Sequence, residues 1–96
     1  MKISDGTFSI TAAAKGIKAE TLLEVTGGTI DIDSEDDAVH CNGDVNITGG
    51  TFTIATGDYG IHADNQVVID DGTITIIESY EGIEGLTIDI DRKSVV

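Results

Sequence analysis

The 96-residue sequence has no tryptophan, no proline, a single cysteine and only four aromatic residues, two Phe and two Tyr. Basic residues are scarce too: 5 Lys+Arg stand against 18 Asp+Glu, a formal net charge of −13. Each shortage removes a class of protein. One cysteine, Cys41, cannot make an intramolecular disulfide framework, and it leaves the redox compartment open. So acidic a chain lacks the basic footprint that phosphate binding needs, which argues against nucleic acid or an anionic membrane as partner. No apolar run approaches the roughly 20 residues of a membrane span, so no membrane insertion is expected. None has the shape of a signal peptide either. That decides nothing about secretion, because Met1 opens directly into a repeat, as an internal segment would. What remains is 40% hydrophobic, mostly Ile and Val, punctuated by 12 Gly. β-branched residues between frequent glycines favour short strands and many turns, and this length fits one domain with a modest core.

The chain repeats itself. Gly6, Gly28, Gly50 and Gly72 stand 22 residues apart and open the copies GTFSI, GTIDI, GTFTI and GTITI. A second shared block reads GIKAE at 16–20, AVHCN at 38–42, GIHAD at 60–64 and GIEGL at 82–86. A third reads LLEV at 22–25, DVNI at 44–47 and QVVI at 66–69. Within each block apolar residues alternate with polar ones, which is the period of a strand with one buried face and not of a helix. The expected inward positions are Phe8/Ile10, Ile17/Ala19 and Leu23/Val25 with their equivalents in later copies. Three short strands per period fit a triangular coil, and stacked coils pair like strand with like strand, parallel and in register, at about 4.8 Å. The expected fold class is therefore all-β, a right-handed parallel β-helix of four 22-residue coils, the hand following from the rule for parallel crossovers. A fixed period of this kind is the sequence mark of a solenoid.

Stacking accounts for several residues without any function. Cys41 shares its inward slot with Ala19, Ala63 and Gly85, and reads as a small buried hydrophobe. The doublets Gly27–Gly28 and Gly49–Gly50 mark corners that need unusual backbone angles. No cap is visible on either end, so residues 1–90 are expected to be part of a longer solenoid whose ends could associate end to end. The final coil reads as truncated after Glu84. The closing DRKSVV, 91–96, breaks the pattern and matches what a common sequencing adapter encodes, so it is expected to be a non-native or disordered tail.

Stacking also turns spacing into surface. One outward column runs Ala14, Asp36, Asp58, Tyr80, and the next Lys15, Asp37, Tyr59, Glu81. Further along come Lys18, His40, His62, Glu84, and then Glu20, Asn42, Asp64, Leu86. Carboxylates about 4.8 Å apart repel by roughly 1 kcal/mol in water and by more in a shielded corner. A calcium ion would offset this, since it takes about six to eight oxygens at roughly 2.3–2.6 Å, so its opposite ligands lie one coil spacing apart. Asp36, Asp37 and Asp58, extended by Glu81, are the expected metal cluster, with Asp64 and Asn42 lining the next corner. A solvated acidic turn that discourages edge-to-edge aggregation explains the same column. His40 and His62, with Glu84 beside them, read as a polar strand face that contacts carboxylates or ligand; imidazole binding of a transition metal is the other reading. Tyr59 and Tyr80 stand where they could stack on a sugar ring or cap the hydrophobic edge. Outward Thr7/Ser9, Thr29/Asp31, Thr51/Thr53 and Thr73/Thr75 form the kind of ladder seen in ice-binding proteins, interrupted by the charge of Asp31.

Residues 34–85, with the blocks DDAVH, DYGIHAD and SYEGIEG on a 22-residue frame, resemble the carbohydrate-binding β-helix domain family of anaerobic plant-cell-wall-degrading bacteria. KGIKAE, 15–20, is similar to the coil that precedes them there. The resemblance implies a secreted or surface-displayed protein that holds calcium in its β-helix and binds acidic pectic polysaccharide and cellulose without established catalysis. On that reading Asp36, Asp37, Asp58, Asp64 and Glu81 hold calcium, and His40, His62, Tyr59, Tyr80 and Glu84 face the plant cell-wall polysaccharide. Tyr59 departs from the pattern by standing where the preceding coil has Asp37. Two other classes remain open. A polysaccharide lyase needs a basic residue poised beside calcium, and Lys15 and Lys18, a coil away from the acids, are the only candidates. A purely structural surface solenoid or adhesin segment needs neither calcium nor sugar.

Overall fold

The computed structural model describes residues 1–91, and these form a β-solenoid without helices. Thirteen strands follow in chain order: β1 (Lys2–Ile3), β2 (Thr7–Ala12), β3 (Ile17–Ala19), β4 (Leu22–Val25), β5 (Thr29–Ser34), β6 (Val39–Cys41) and β7 (Asp44–Ile47). They continue with β8 (Thr51–Thr56), β9 (Tyr59–Ala63), β10 (Gln66–Ile69), β11 (Thr73–Glu78), β12 (Glu81–Glu84) and β13 (Thr87–Ile90). Every third strand joins the same sheet, giving three sheets ordered β1-β4-β7-β10-β13, β2-β5-β8-β11 and β3-β6-β9-β12. All pairings are parallel, and Phe8 lies on Ile30, Ile30 on Phe52 and Phe52 on Ile74, as the 22-residue period requires. About four turns stack in this way. The tail expected at 91–96 lies, apart from Asp91, outside the described residues.

The register sets the core. Leu23, Val25, Val45, Ile47, Val67 and Ile69 are all fully buried, as are Phe52, Ile54 and Ile61. Burying one such side chain contributes roughly 1.5–3 kcal/mol, so the middle coils hold most of the stabilisation. Cys41 is fully buried in the inward column between Ala19 and Ala63, and its Sγ contacts the Asp44 carbonyl at 3.3 Å. It is the small core residue expected.

Corner chemistry follows the glycines. Gly28 and Gly50 adopt φ of 103° and 97°, where any Cβ is strained. A Cβ on neighbouring Gly27 would stand 2.7 Å from the Ser4 carbonyl oxygen, and on Gly49 2.5 Å from that of Thr26. The coil below cannot yield there, because its backbone is the obstruction. In the fourth coil Asp71 takes the left-handed conformation, φ 74°, where the second and third coils have the first glycine of a doublet.

Two strands extend the sheet of β4, β7 and β10 beyond the sequence reading. β1 adds a rung below β4, and β13 adds one above β10. The final coil is therefore not cut short after Glu84. Its Thr87 pairs with Gln66, 21 residues earlier, so one residue is missing from the turn and the 22-residue frame hides the strand.

Candidate functional site

The corner after β5 and β8 brings the three expected acids together. Ligand oxygens of Asp36, Asp37 and Asp58 all lie within 4.8 Å of one another. Two buried hydroxyls fix this corner: Ser34 Oγ donates to the Asp36 carbonyl oxygen at 2.7 Å, and Thr56 Oγ1 donates to the same oxygen from the next coil. Thr56 Oγ1 in turn accepts the Asp58 N–H at 3.2 Å. The hydroxyl two residues before each Asp shapes the turn, as Ser and Thr side chains do when they bond local backbone.

The acids are not equivalent. Asp36 accepts a hydrogen bond from Lys15 Nζ at 2.7 Å through Oδ2 and from the Asp37 N–H at 2.8 Å through Oδ1. The Lys15 ammonium, and then that N–H, hold the Asp36 carboxyl below its ordinary value of 3.8. The Asp36 bond raises Lys15 in return, so its ammonium stays charged. Asp58 moves the other way: loss of water around it, followed by the charges of Asp37 and Asp36, raises its carboxyl above 3.8. Among the described residues Lys15 is the one lysine at this corner, and it offsets the repulsion on Asp58 only in part. The sequence reading set Lys15 a full coil from the cluster, but a lysine stem spans one rung, and the pair is in contact.

Asp37 is buried, 4% exposed, and already engaged. Its Oδ2 lies 2.7 Å from His40 Nδ1, and its Oδ1 accepts the Tyr59 N–H at 3.3 Å. His40 Nε2 meets Asn42 Oδ1 at 2.9 Å, and Asn42 Nδ2 donates to Glu20 at 2.9 Å. The imidazole of His62 lies on that of His40, centroids 4.7 Å apart and planes within 3°, at the coil spacing. His62 Nε2 contacts Asp64 Oδ1 at 2.9 Å. Its Nδ1 is buried 3.1 Å from Glu84 Oε1 but makes no aligned hydrogen bond. The ligand atoms of Asp37, His40 and His62 also lie within 4.8 Å of one another, a second group that could hold a metal ion, with the two imidazole rings stacked parallel.

Aromatic rings continue the ladder. Tyr59 stacks on His62 at 5.2 Å, and Tyr80 tilts against Tyr59 at 6.4 Å. Glu84 first, then partial burial and Glu81, raise the Tyr59 phenol above its ordinary value, so it stays protonated as a donor. Tyr80 stands 77% exposed. Next to the ladder a shallow depression of about 280 Å³ is lined by His62, Asp64, Glu84 and Leu86.

Asp36, Asp37 and Asp58 thus form one cluster, and His40, His62, Tyr59, Tyr80 and Glu84 one adjoining face. Asp64 lies beyond His62, and Glu81 pairs with Tyr59 one coil further on. Neither belongs to the three-acid cluster. The roles of Lys15, Ser34 and Thr56 escaped the sequence reading. The signal for the hydroxyls was there, a Ser or Thr two residues before an Asp in successive coils; Lys15 stood in the column of Asp37, one rung below it, but only the direction of its side chain shows that it bonds Asp36. No curated protein and no solved structure matches the chain. The model of the family described as "carbohydrate-binding domain-containing protein" matches residues 1–86, nearly all of the described solenoid, and the chain belongs to that family.

Proposed function

We propose that the chain is a secreted or surface-displayed, non-catalytic module that binds plant cell-wall polysaccharide, polygalacturonate or pectin, with the help of calcium. The observation that carries this reading is the convergence of Asp36, Asp37 and Asp58 within 4.8 Å, with Lys15 as the one lysine in contact with them among the described residues. The donor set is all oxygen, which suits a hard cation, and a 4.8 Å span matches ligands on opposite sides of calcium. Asp36 and Asp58 have carboxylate oxygen to offer, Asp37 has less because His40 holds one oxygen, and sugar carboxylates and water complete the shell. Bound calcium supplies positive charge to which uronate can attach; without it a chain of net charge −13 repels an anionic polymer. Tyr80, with Tyr59 and the His62–Glu84 depression, gives a sugar an exposed ring and polar groups beside that charge. Asp64 and Glu81 add negative potential around the site.

A lyase reading is less well supported. Its base must be able to lose its proton near neutral pH, whereas Asp36 keeps Lys15 charged. The test is retention of the chain on polygalacturonate in millimolar calcium and in chelator, beside the Asp36→Ala/Asp58→Ala variant, with the absorbance of unsaturated product followed throughout. Calcium-dependent retention that the variant loses, without turnover, is expected. Retention indifferent to calcium sinks the bridging mechanism, turnover makes the chain a lyase, and no retention leaves a structural solenoid.

A further inference from the structure

In the middle of the stack two imidazoles turn a nitrogen toward a carboxylate. His40 and His62 pair in register on β6 and β9, their rings 4.7 Å apart and 3° from parallel. Each Nε2 edge reaches the residue two positions on: Asn42 Oδ1 lies 2.9 Å from His40 Nε2, and Asp64 Oδ1 lies 2.9 Å from His62 Nε2. Both of those oxygens accept. Asp64 offers a carboxylate, and Asn42 has given its amide Nδ2 to Glu20 at 2.9 Å, which leaves its carbonyl oxygen for the ring. Nε2 is therefore the protonated nitrogen of each ring, and in a neutral imidazole Nδ1 then carries the lone pair. Those nitrogens face anions. His40 Nδ1 is 2.7 Å from Asp37 Oδ2, and His62 Nδ1, buried and without an aligned hydrogen bond, is 3.1 Å from Glu84 Oε1. Acceptor against acceptor repels at these distances, and a positive charge between them turns repulsion into attraction. Two protons would supply it only by stacking one imidazolium cation on another at 4.7 Å. One divalent metal ion serves both rings at once.

We propose that Asp37, His40 and His62 hold a divalent transition-metal ion, zinc or copper(II), through both Nδ1 atoms and Asp37 Oδ2, with Glu84 as the fourth donor. Ligand atoms of the first three already lie within 4.8 Å of one another, and all three come from the second and third coils. Zinc–nitrogen bonds of about 2.0–2.1 Å in a tetrahedral shell set two imidazole nitrogens roughly 3.4 Å apart. The stacked rings reach this by tilting toward each other about the terminal side-chain torsion, which is soft in histidine. The outer shell is in place beforehand: metal-binding imidazoles donate their other N–H to a carboxylate or carbonyl oxygen, and Asp64 and Asn42 receive those bonds here. Two neutral imidazoles and two carboxylates make a site of charge −2, which one such ion neutralises. The donors also separate this site from the three-acid cluster beside it. Imidazole nitrogen suits zinc, copper and nickel, whereas calcium takes oxygen. Asp37 belongs to both groups, and the oxygen it turns to His40 is the one it withholds from calcium. The site neither needs calcium at Asp36 and Asp58 nor excludes it.

The experiment uses the 96-residue chain without an affinity tag, in millimolar calcium so that oxygen-only sites are taken. Zinc is titrated by calorimetry, and copper(II) is added for electron paramagnetic resonance. One zinc per chain is expected, bound roughly tenfold or more weakly by His40→Gln and by His62→Gln. The copper spectrum of the wild type is expected to carry hyperfine structure from two imidazole nitrogens, and that of His62→Gln from one. Wild-type chain that takes up no zinc overturns the proposal, whether or not a variant folds. So does zinc affinity that is unchanged in folded His40→Gln/His62→Gln, which would put the ion on the exposed acids instead. A wild-type copper spectrum without two imidazole nitrogens overturns it as well.

Discussion

Replacing Lys15 with Met separates the calcium reading from its alternatives, because the change should help calcium while slightly harming the fold. Lys15 Nζ lies 2.7 Å from Asp36 Oδ2, with both side chains partly exposed. Such pairs contribute about 0.2–1 kcal/mol, so the calcium-free variant should melt only a little lower. A calcium ion sharing Asp36 Oδ2 with Lys15 sits roughly 2.3–2.6 Å from that oxygen, which sets the ammonium and the ion about 5 Å apart. Repulsion between a single and a double positive charge at that distance is roughly 1.7 kcal/mol in water. Screening at 0.1 M lowers this to about 1 kcal/mol. Removing the ammonium should therefore tighten calcium by about five- to twenty-fold. Calorimetric titration of the wild type and Lys15→Met measures the ratio directly, and the calcium-dependent rise in melting temperature gives it again by mass action. Calcium affinity that is unchanged or weaker in Lys15→Met refutes the placement, since an ion at Asp36, Asp37 and Asp58 cannot be indifferent to a cation in contact with one of its ligands.

The same corner predicts a pH dependence. Asp58 is raised above 3.8, so the folded chain holds that proton more tightly than the unfolded chain, and the stability it contributes is complete below 3.8 and lost as pH climbs through the raised value. Asp36 is lowered and contributes stability that is present above 3.8 and lost as pH falls through its depressed value. In chelator, Asp58→Asn should accordingly melt higher than the wild type at neutral pH and lose its calcium response; a lower neutral melt would contradict the assigned direction. In the core, Phe52→Ala should cost about 3–5 kcal/mol by urea unfolding, whereas Phe8→Ala in the same column should cost clearly less because Phe8 is 37% exposed. Equal losses would mean that the first coil is sealed in solution. Tyr80→Ala should weaken retention on polygalacturonate without shifting the melt, because the ring is 77% exposed and is held only by a tilted contact with Tyr59.

The sequence determined the solenoid because the repeat is long-range information written locally. A 22-residue period with period-2 alternation leaves one way to bury Phe8, Ile30, Phe52 and Ile74, and that is to stack them. The same period placed Asp36 by Asp58 and His40 under His62, so the membership of the three-acid cluster and of the histidine ladder was legible too. It could not disclose β13, whose turn is one residue short, or β1, which is two residues long and precedes the first glycine. Nor could it rank the acids. Asp36, Asp37 and Asp58 are alike as letters, but Lys15 neutralises the first, His40 and a backbone N–H occupy the second, and the third faces two like charges that Lys15 offsets only in part. Those differences depend on side-chain direction and on bonds of about 3 Å, whereas the repeat fixes only a column and a rung. The period fixed who stands next to whom; the tertiary structure decided which of those neighbours are already satisfied.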